Sequence, residues 1–336
     1  MTEKIFNKYL AATASLLFFF AIGMKVYLIL TFPKIMDWNY YQLKKIDPAK
    51  DEFTFVVFGD NKNSTKTFDN LIKKVNKEDP LFAIDVGDLV FDGQKDRYRL
   101  FLKQIKNSTN PLLTVIGNHE IMDNGRGNYY DIFGRFYYAF SAGESYFIIL
   151  DDANEKNLDP WQFAWLKKNL QIGQNYKHRF VFMHVPLYDP RTAEGRTGHS
   201  LKNLRFAKRL NDLFDRSRVT MLFTSHIHAY FRGIWGKTPY IITGGAGAEL
   251  AGDNPNHYFY HYLTVQVSDH GVSYKVIKLN SPDFNMFDRI SHDVWMYIYA
   301  FFAIHIYGVV LFLSLIYLTA YFLFIKLFAS KKSGAS

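Results

Sequence analysis

Apolar residues along this chain gather into short continuous runs separated by stretches of helix length. The runs Phe53 to Phe58, Leu81 to Val86, Leu112 to Ile116, Phe180 to Met183 and Val219 to Phe223 are rich in β-branched and aromatic residues. Short apolar runs of this kind predict buried parallel strands. Between the first two, Phe68, Leu71, Ile72 and Val75 recur at helical spacing and predict a crossover helix. Tyr98 to Ile105 and Trp161 to Leu170 predict two more. A further strand, Tyr240 to Thr243, runs into the turn Gly244-Gly245-Ala246-Gly247-Ala248, and His261 to Val267 with Gly271 to Leu279 reads as a closing hairpin. The alternation implies right-handed crossovers in a sheet covered on both faces, an α/β class.

The pattern changes at both ends. Tyr9 to Phe32 is apolar apart from Lys25, and Val294 to Phe328 is apolar apart from His305 and Lys326. Each is long enough to cross a bilayer, which takes about 20 residues. The organisation expected is an N-terminal transmembrane anchor over 1–33, one catalytic domain over 34–293, and a C-terminal transmembrane helix with a short basic tail over 294–336. Ala11, Ala12 and Ala14 precede the apolar core, whereas a signal-peptide cleavage site needs small residues after it, so an uncleaved anchor is favoured. Lys25, near a helix end, is expected to reach the headgroups, and His305 to be a hydrogen-bonded packing residue. Lys4, Lys8, Lys326, Lys331 and Lys332 flank the outer ends, against Lys34, Lys44, Lys45 and Arg289 on the opposing flank. That balance predicts cytoplasmic termini and an extracytoplasmic domain.

Composition narrows the chemistry. The 336 residues include no cysteine, which excludes disulfides, thiolate metal ligands and a cysteine nucleophile. The net charge of +9 comes from basic residues interspersed with acidic ones, without a recognition motif. No nucleic-acid partner is therefore expected, and attraction to an anionic bilayer accounts better for the charge.

Five segments carry acid, amide and imidazole groups: Gly59-Asp60-Asn61-Lys62, Gly87-Asp88, Gly117-Asn118-His119-Glu120, His184 within Phe182-Met183-His184-Val185-Pro186, and His226-Ile227-His228. Most follow one of the predicted strands, so their side chains converge beyond the strand C-termini, where open α/β sheets bind ligands. The ordered set resembles the calcineurin-like metallophosphoesterases over roughly residues 53 to 277, and Gly117-Asn118-His119-Glu120 with His226-x-His228 is its specific part. The Tyr129 to Asp151 stretch also resembles the strand-rich segment that follows the Asn-His motif in bacterial members.

The resemblance implies two sheets packed face to face, a β-sandwich flanked by helices. It also implies a site for two divalent ions, Mn, Fe or Zn, whose mixed oxygen and nitrogen ligands suit any of the three. Asp88 would bridge them. Asp60, Asp88 and His228 would hold the first, and Asp88, Asn118, His184 and His226 the second. Two such ions generate a hydroxide at neutral pH and neutralise charge on phosphoryl oxygens. His119 would protonate the leaving oxygen or stabilise phosphate charge. Its partner is open: some family members place a carboxylate three residues after the bridging Asp, where this chain has Phe91, leaving Asp92 or Glu120 as candidates.

Two departures from the family pattern stand out. Many members have Asp-x-His in the first segment, where this chain has Lys62, and a protonated lysine cannot coordinate a metal. Lys62 is therefore read either as a charge for substrate phosphate or as a solvent-facing residue. Ser225 stands where glycine commonly precedes His-x-His. Further substrate-binding candidates are Asn61 and, in the long polar insertion Pro186 to Lys202, Arg191 and His199. The function expected is a membrane-anchored metallophosphoesterase acting on a phospholipid or lipid-linked headgroup. Its alternatives are an extracytoplasmic phosphatase or phosphodiesterase for soluble phosphoesters or nucleotides, and a non-catalytic metal-binding membrane scaffold.

Overall fold

The computed structural model describes residues 3–195, 197–279, 290, 294, 298 and 300–333. It divides into two compact units, one built from the chain's two ends and one spanning Ile35–Met296. The boundary expected between 293 and 294, together with Arg289 and Arg196, touches positions outside the described residues.

In the first unit, α1 (Glu3–Leu30) packs against α8 (Ala300–Ser333). Asn7–Leu30 and His305–Ile325 are long and apolar enough to cross a membrane. Small residues let the two backbones approach, and Ala14, Ala21 and Ser314 are buried. Lys25 does not extend freely. Its Nζ donates to Tyr307 Oη at 2.7 Å and lies 4.4 Å from that ring's centre.

The second unit is a two-sheet sandwich. One sheet has the order β11-β10-β1-β2-β3, from β1 (Phe53–Phe58), β2 (Phe82–Asp85), β3 (Leu112–Thr114), β10 (His261–Ser268) and β11 (Gly271–Lys278). The other has the order β4-β5-β6-β7-β9-β8, from β4 (Tyr138–Ala142), β5 (Ser145–Ile149), β6 (His178–Phe182), β7 (Met221–Thr224), β8 (Tyr230–Trp235) and β9 (Thr238–Thr243). β1, β2 and β3 run parallel, as do β5, β6, β7 and β9. The closing hairpin pairs β10 with β11 and sets β10 antiparallel to β1.

Strand β1 shows why its apolar run does not alternate. Phe53, Phe55 and Val57 face the second sheet, where the Phe55 ring lies 5.3 Å from Phe180 and 5.5 Å from Phe147. Phe58 faces outward onto Phe68 of α3 (Lys66–Glu78), which stacks on Phe101 of α4 (Lys95–Ile105) at 5.8 Å. With both faces covered, every position but Thr54 is apolar. The Tyr129 to Asp151 segment holds β4 and β5, and its first residues, Tyr129 to Phe133, belong to α5 (Arg126–Phe133). On the other sheet, α6 (Pro160–Ile172) and α7 (Leu204–Arg216) cover the crossovers after β5 and β6.

Candidate metal centre

The segments that carry the site all leave the C-terminal ends of parallel strands. Asp60 follows β1, Asp88 follows β2, Asn118 and His119 follow β3, His184 follows β6, and His226 and His228 follow β7. Asp60, Asp88 and His226 adopt the left-handed backbone region, with φ of 59°, 55° and 66°. L-residues visit that region rarely, and such conformations concentrate at sites whose surroundings hold them in place. Gly117 permits a close approach here: a Cβ on it would collide with the Asp88 backbone nitrogen and carboxylate.

Two groups of ligand atoms form, and they share Asp88. One comprises Asp88, His184 and His226, and the other Asp60, Asp88 and His228. In the first of these groups, His184 Nε2 lies 3.2 Å from Asp88 Oδ1, and Asn118 Oδ1 lies 3.0 Å from both His184 Nε2 and His226 Nδ1. In the other, His228 Nε2 lies 3.8 Å from Asp60 Oδ1. Five of the six expected ligand residues thus fall in the two groups, and Asn118 stands beside His184 and His226.

The donor set fits cations on structural grounds. Asp60 Oδ1 is buried with no hydrogen-bond partner, a cost that a bound cation would remove. His184 Nδ1 lies 2.9 Å from the Val86 carbonyl, and His228 Nδ1 contacts that of Glu249. A carbonyl only accepts, so each Nδ1 carries the hydrogen and each Nε2 turns a lone pair into the site.

The electrostatics agree. Burial raises the Asp60 carboxyl to about 7, with Asp88 adding to the effect. Burial acts upward on Asp88 as well, but His184, His119 and Lys62 outweigh it and hold the carboxylate well below its ordinary range. Burial would lower His184, yet Asp88 and Asp60 raise it to about 10. Burial lowers His226 strongly and takes His228 to about 3.

His119 lies at the rim. Its Nε2 is 3.7 Å from Asp88 Oδ2, and its Nδ1 contacts the Phe91 carbonyl at 2.5 Å. Neither carboxylate candidate orients it. Asp92 pairs with Arg97 through Nε at 3.0 Å, and Glu120 accepts from the backbone nitrogens of Gly117, Asp88 and Val90 at 2.7, 3.0 and 3.1 Å. The orienting group comes from the position that lacks the carboxylate, through its main chain. Burial lowers the His119 imidazole, with Asp88 opposing the shift.

The substrate candidates separate. Lys62 turns into the site: its Nζ lies 3.7 Å from Asp88 Oδ2 and its side chain is 12% exposed. His199 is exposed beside His226, ring centres 5.6 Å apart. Asn61 is instead buried, donating to Asp85 Oδ2 at 2.8 Å. Arg191 is 3% exposed and grips Asp189 through Nε at 2.9 Å and Nη2 at 2.8 Å. These last two side chains face protein partners, not the ligand groups.

The supporting roles of two residues were not read from the sequence. Ser225 Oγ donates to Asp60 Oδ2 at 2.5 Å, so the hydroxyl that replaces the usual glycine fixes a ligand. Asp152, after β5, accepts from the backbone nitrogens of His184 and Val185, both at 2.9 Å. Ser225 was visible as a departure from pattern; Asp152 carried no signal. The glycine-rich turn after β9 also reaches the site, its Ala246 and Ala248 nitrogens donating to the Gly59 and Asp60 carbonyls at 3.0 and 2.7 Å.

Comparison with known proteins gives a consistent picture. The profile of the calcineurin-like phosphoesterases matches residues 53–230. Serine/threonine-protein phosphatase CPPED1 of Pongo abelii is 25% identical over 202 residues, 54% of this chain and 64% of that protein. Purple acid phosphatase 23 of Arabidopsis thaliana is 24% identical over 259 residues, 60% of this chain and 54% of that protein. The chain therefore spans less than two thirds of either relative. Among solved structures, purple acid phosphatase PPD1 of yellow lupin superposes with a TM-score of 0.55 at 18% identity, over 73% of this chain and 56% of that one. GAP50, the anchor in the inner membrane complex of Plasmodium, superposes with a TM-score of 0.52 at 14% identity, over 74% of this chain and 95% of that one. At these identities the structural likeness is one of fold.

Proposed function

Since the chain belongs to the calcineurin-like phosphoesterase family, we propose that it is a membrane-anchored hydrolase of phosphoesters that works with two divalent ions. The observation that carries this is the pair of ligand groups meeting at Asp88. Asp60, Asp88 and His228 would hold one ion, and Asp88, Asn118, His184 and His226 the other. When bound, such a pair supplies hydroxide at neutral pH and neutralises charge on the phosphoryl oxygens.

The chain's own residues supply the rest. The Phe91 carbonyl places the hydrogen of His119 on Nδ1, so Nε2 is the atom that takes up a proton and delivers it to the leaving oxygen. Lys62 extends its ammonium beside Asp88 and offers positive charge to a phosphate oxygen, and exposed His199 stands at the same rim. Ser225, Asp152 and Glu120 hold the ligand-bearing backbone and Asp60 in place.

Purified protein should hydrolyse a generic aryl phosphate, lose that activity to a chelator and regain it with Mn²⁺ or Zn²⁺. Full activity in a metal-free sample would sink the proposal. Two helices long and apolar enough to cross a membrane would hold the catalytic unit near a bilayer, which supports a phospholipid or lipid-linked headgroup as the substrate proposed. Release of headgroup from solubilised lipid extract separates this from an enzyme for soluble phosphoesters. The flanking lysines favour an extracytoplasmic catalytic unit, a side that protease protection in sealed vesicles tests.

Lys62 adds a sharper expectation. Lys62→Ala should raise KM several-fold with metal content unchanged, and the difference should shrink at high salt, because the ammonium is partly exposed. An unchanged KM at low salt would leave the ammonium without a role toward phosphate.

A further inference from the structure

The short helix α2 (Trp38–Leu43) packs Leu43 against the core and turns two of its aromatic side chains outward. Its polar side chains face the protein: Asn39 is 3% and Gln42 5% exposed. Asn39 and Thr114 of β3 exchange hydrogen bonds, Nδ2 donating to Oγ1 at 3.1 Å and the Thr114 nitrogen donating to Oδ1 at 2.9 Å. Trp38 Nε1 donates to the Leu112 carbonyl at 2.7 Å. The aromatic side faces out, with Tyr40 54% and Tyr41 57% exposed, and Met36, just upstream, 72%. The two tyrosine rings meet edge to face at 5.4 Å, and Lys44 Nζ lies over them at 4.3 and 5.8 Å.

Single exposed apolar residues need no explanation, but a cluster of aromatics beside cations does. Tyrosine favours the membrane–water interface, where its ring is sheltered and its hydroxyl hydrated. The covalent chain says where this cluster can be. Between Leu30, the end of the apolar helix, and Trp38 the backbone reaches at most about 28 Å. Lys34, Lys44 and Lys45 add charge that complements anionic lipid.

We propose that the exposed face of α2 lies in the headgroup layer and docks the catalytic unit onto an anionic bilayer, an inference that rests on the membrane anchoring proposed above. α2 is bonded to β3, and β3 leads into Gly117-Asn118-His119. The docked helix thereby constrains how the site edge meets the lipid surface.

The absence of cysteine allows a clean test. The full chain carrying Tyr41→Cys, or in a second preparation Tyr40→Cys, is labelled with an environment-sensitive dye and reconstituted into vesicles of phosphatidylcholine and phosphatidylglycerol. Ile234→Cys in β8, at a residue 67% exposed, is the reference. The dye on α2 should be quenched by nitroxide carried on the lipid headgroup and shielded several-fold from aqueous iodide relative to position 234. Equal iodide quenching at both positions, in protein that stays with the vesicles through alkaline extraction, overturns the docking alone. Release of the protein by alkaline extraction overturns the anchoring instead. Energy transfer between labelled chains that accounts for the shielding would make a second copy the occupant and overturn the bilayer as partner.

Discussion

Asp88→Ala should abolish turnover and strip metal from both halves of the site, the largest effect of any single substitution here. Asp88 belongs to both ligand groups, whereas Asp60 and His228 belong to one and His184 and His226 to the other. Its carboxylate also accepts from the His119 backbone nitrogen at 3.0 Å and faces His184 Nε2 at 3.2 Å, so its loss unties the elements that carry the other ligands. Removing a supporting partner of a metal ligand costs about 10–100-fold in affinity or activity, and removing the shared ligand should exceed that. Elemental analysis after equilibrium dialysis checks it: Asp88→Ala should fall short of wild type at both equivalents, Asp60→Asn at one. Retention of two equivalents by folded Asp88→Ala would show that the carboxylate does not bridge.

His119→Ala should keep its metal and lose rate. The ring belongs to neither ligand group, and its Nε2 stands at the rim with Nδ1 tied to a main-chain carbonyl. Loss of a general acid costs about 10²- to 10⁴-fold. The size should depend on the leaving group. An alkyl phosphate, whose alkoxide needs a proton, should suffer most, and an aryl phosphate with an acidic phenol least. Equal losses on both would assign His119 to phosphate charge stabilisation. Loss of metal in His119→Ala would make it a ligand.

Much of this was legible in the sequence because the signals are local. Strand β1 matches its run from Phe53 to Phe58, since a strand covered on both faces is apolar at nearly every position, here all but Thr54. The ordered Asp, Gly-Asp, Gly-Asn-His and His-x-His segments were readable because strand C-termini converge, so a one-dimensional order becomes a three-dimensional cluster. The edges of the insertion were less accessible. Arg191 looked like a substrate residue as a charge in a polar loop, but Asp189 two positions earlier neutralises it inside the fold.

The sequence by itself determined the strand and helix alternation, the two apolar end segments, the six candidate ligand positions and the exclusion of cysteine chemistry, because each depends on residue type and spacing along one segment. Only the tertiary structure decided that Lys62 points at Asp88, that Ser225 grips Asp60, that Phe91 orients His119 through its carbonyl and that α2 turns its tyrosines outward. These depend on which groups the packing of the sandwich brings together, across 165 positions of chain in the case of Ser225 and Asp60. No local pattern encodes such distances, because side-chain direction at a loop is set by the neighbours it meets after folding.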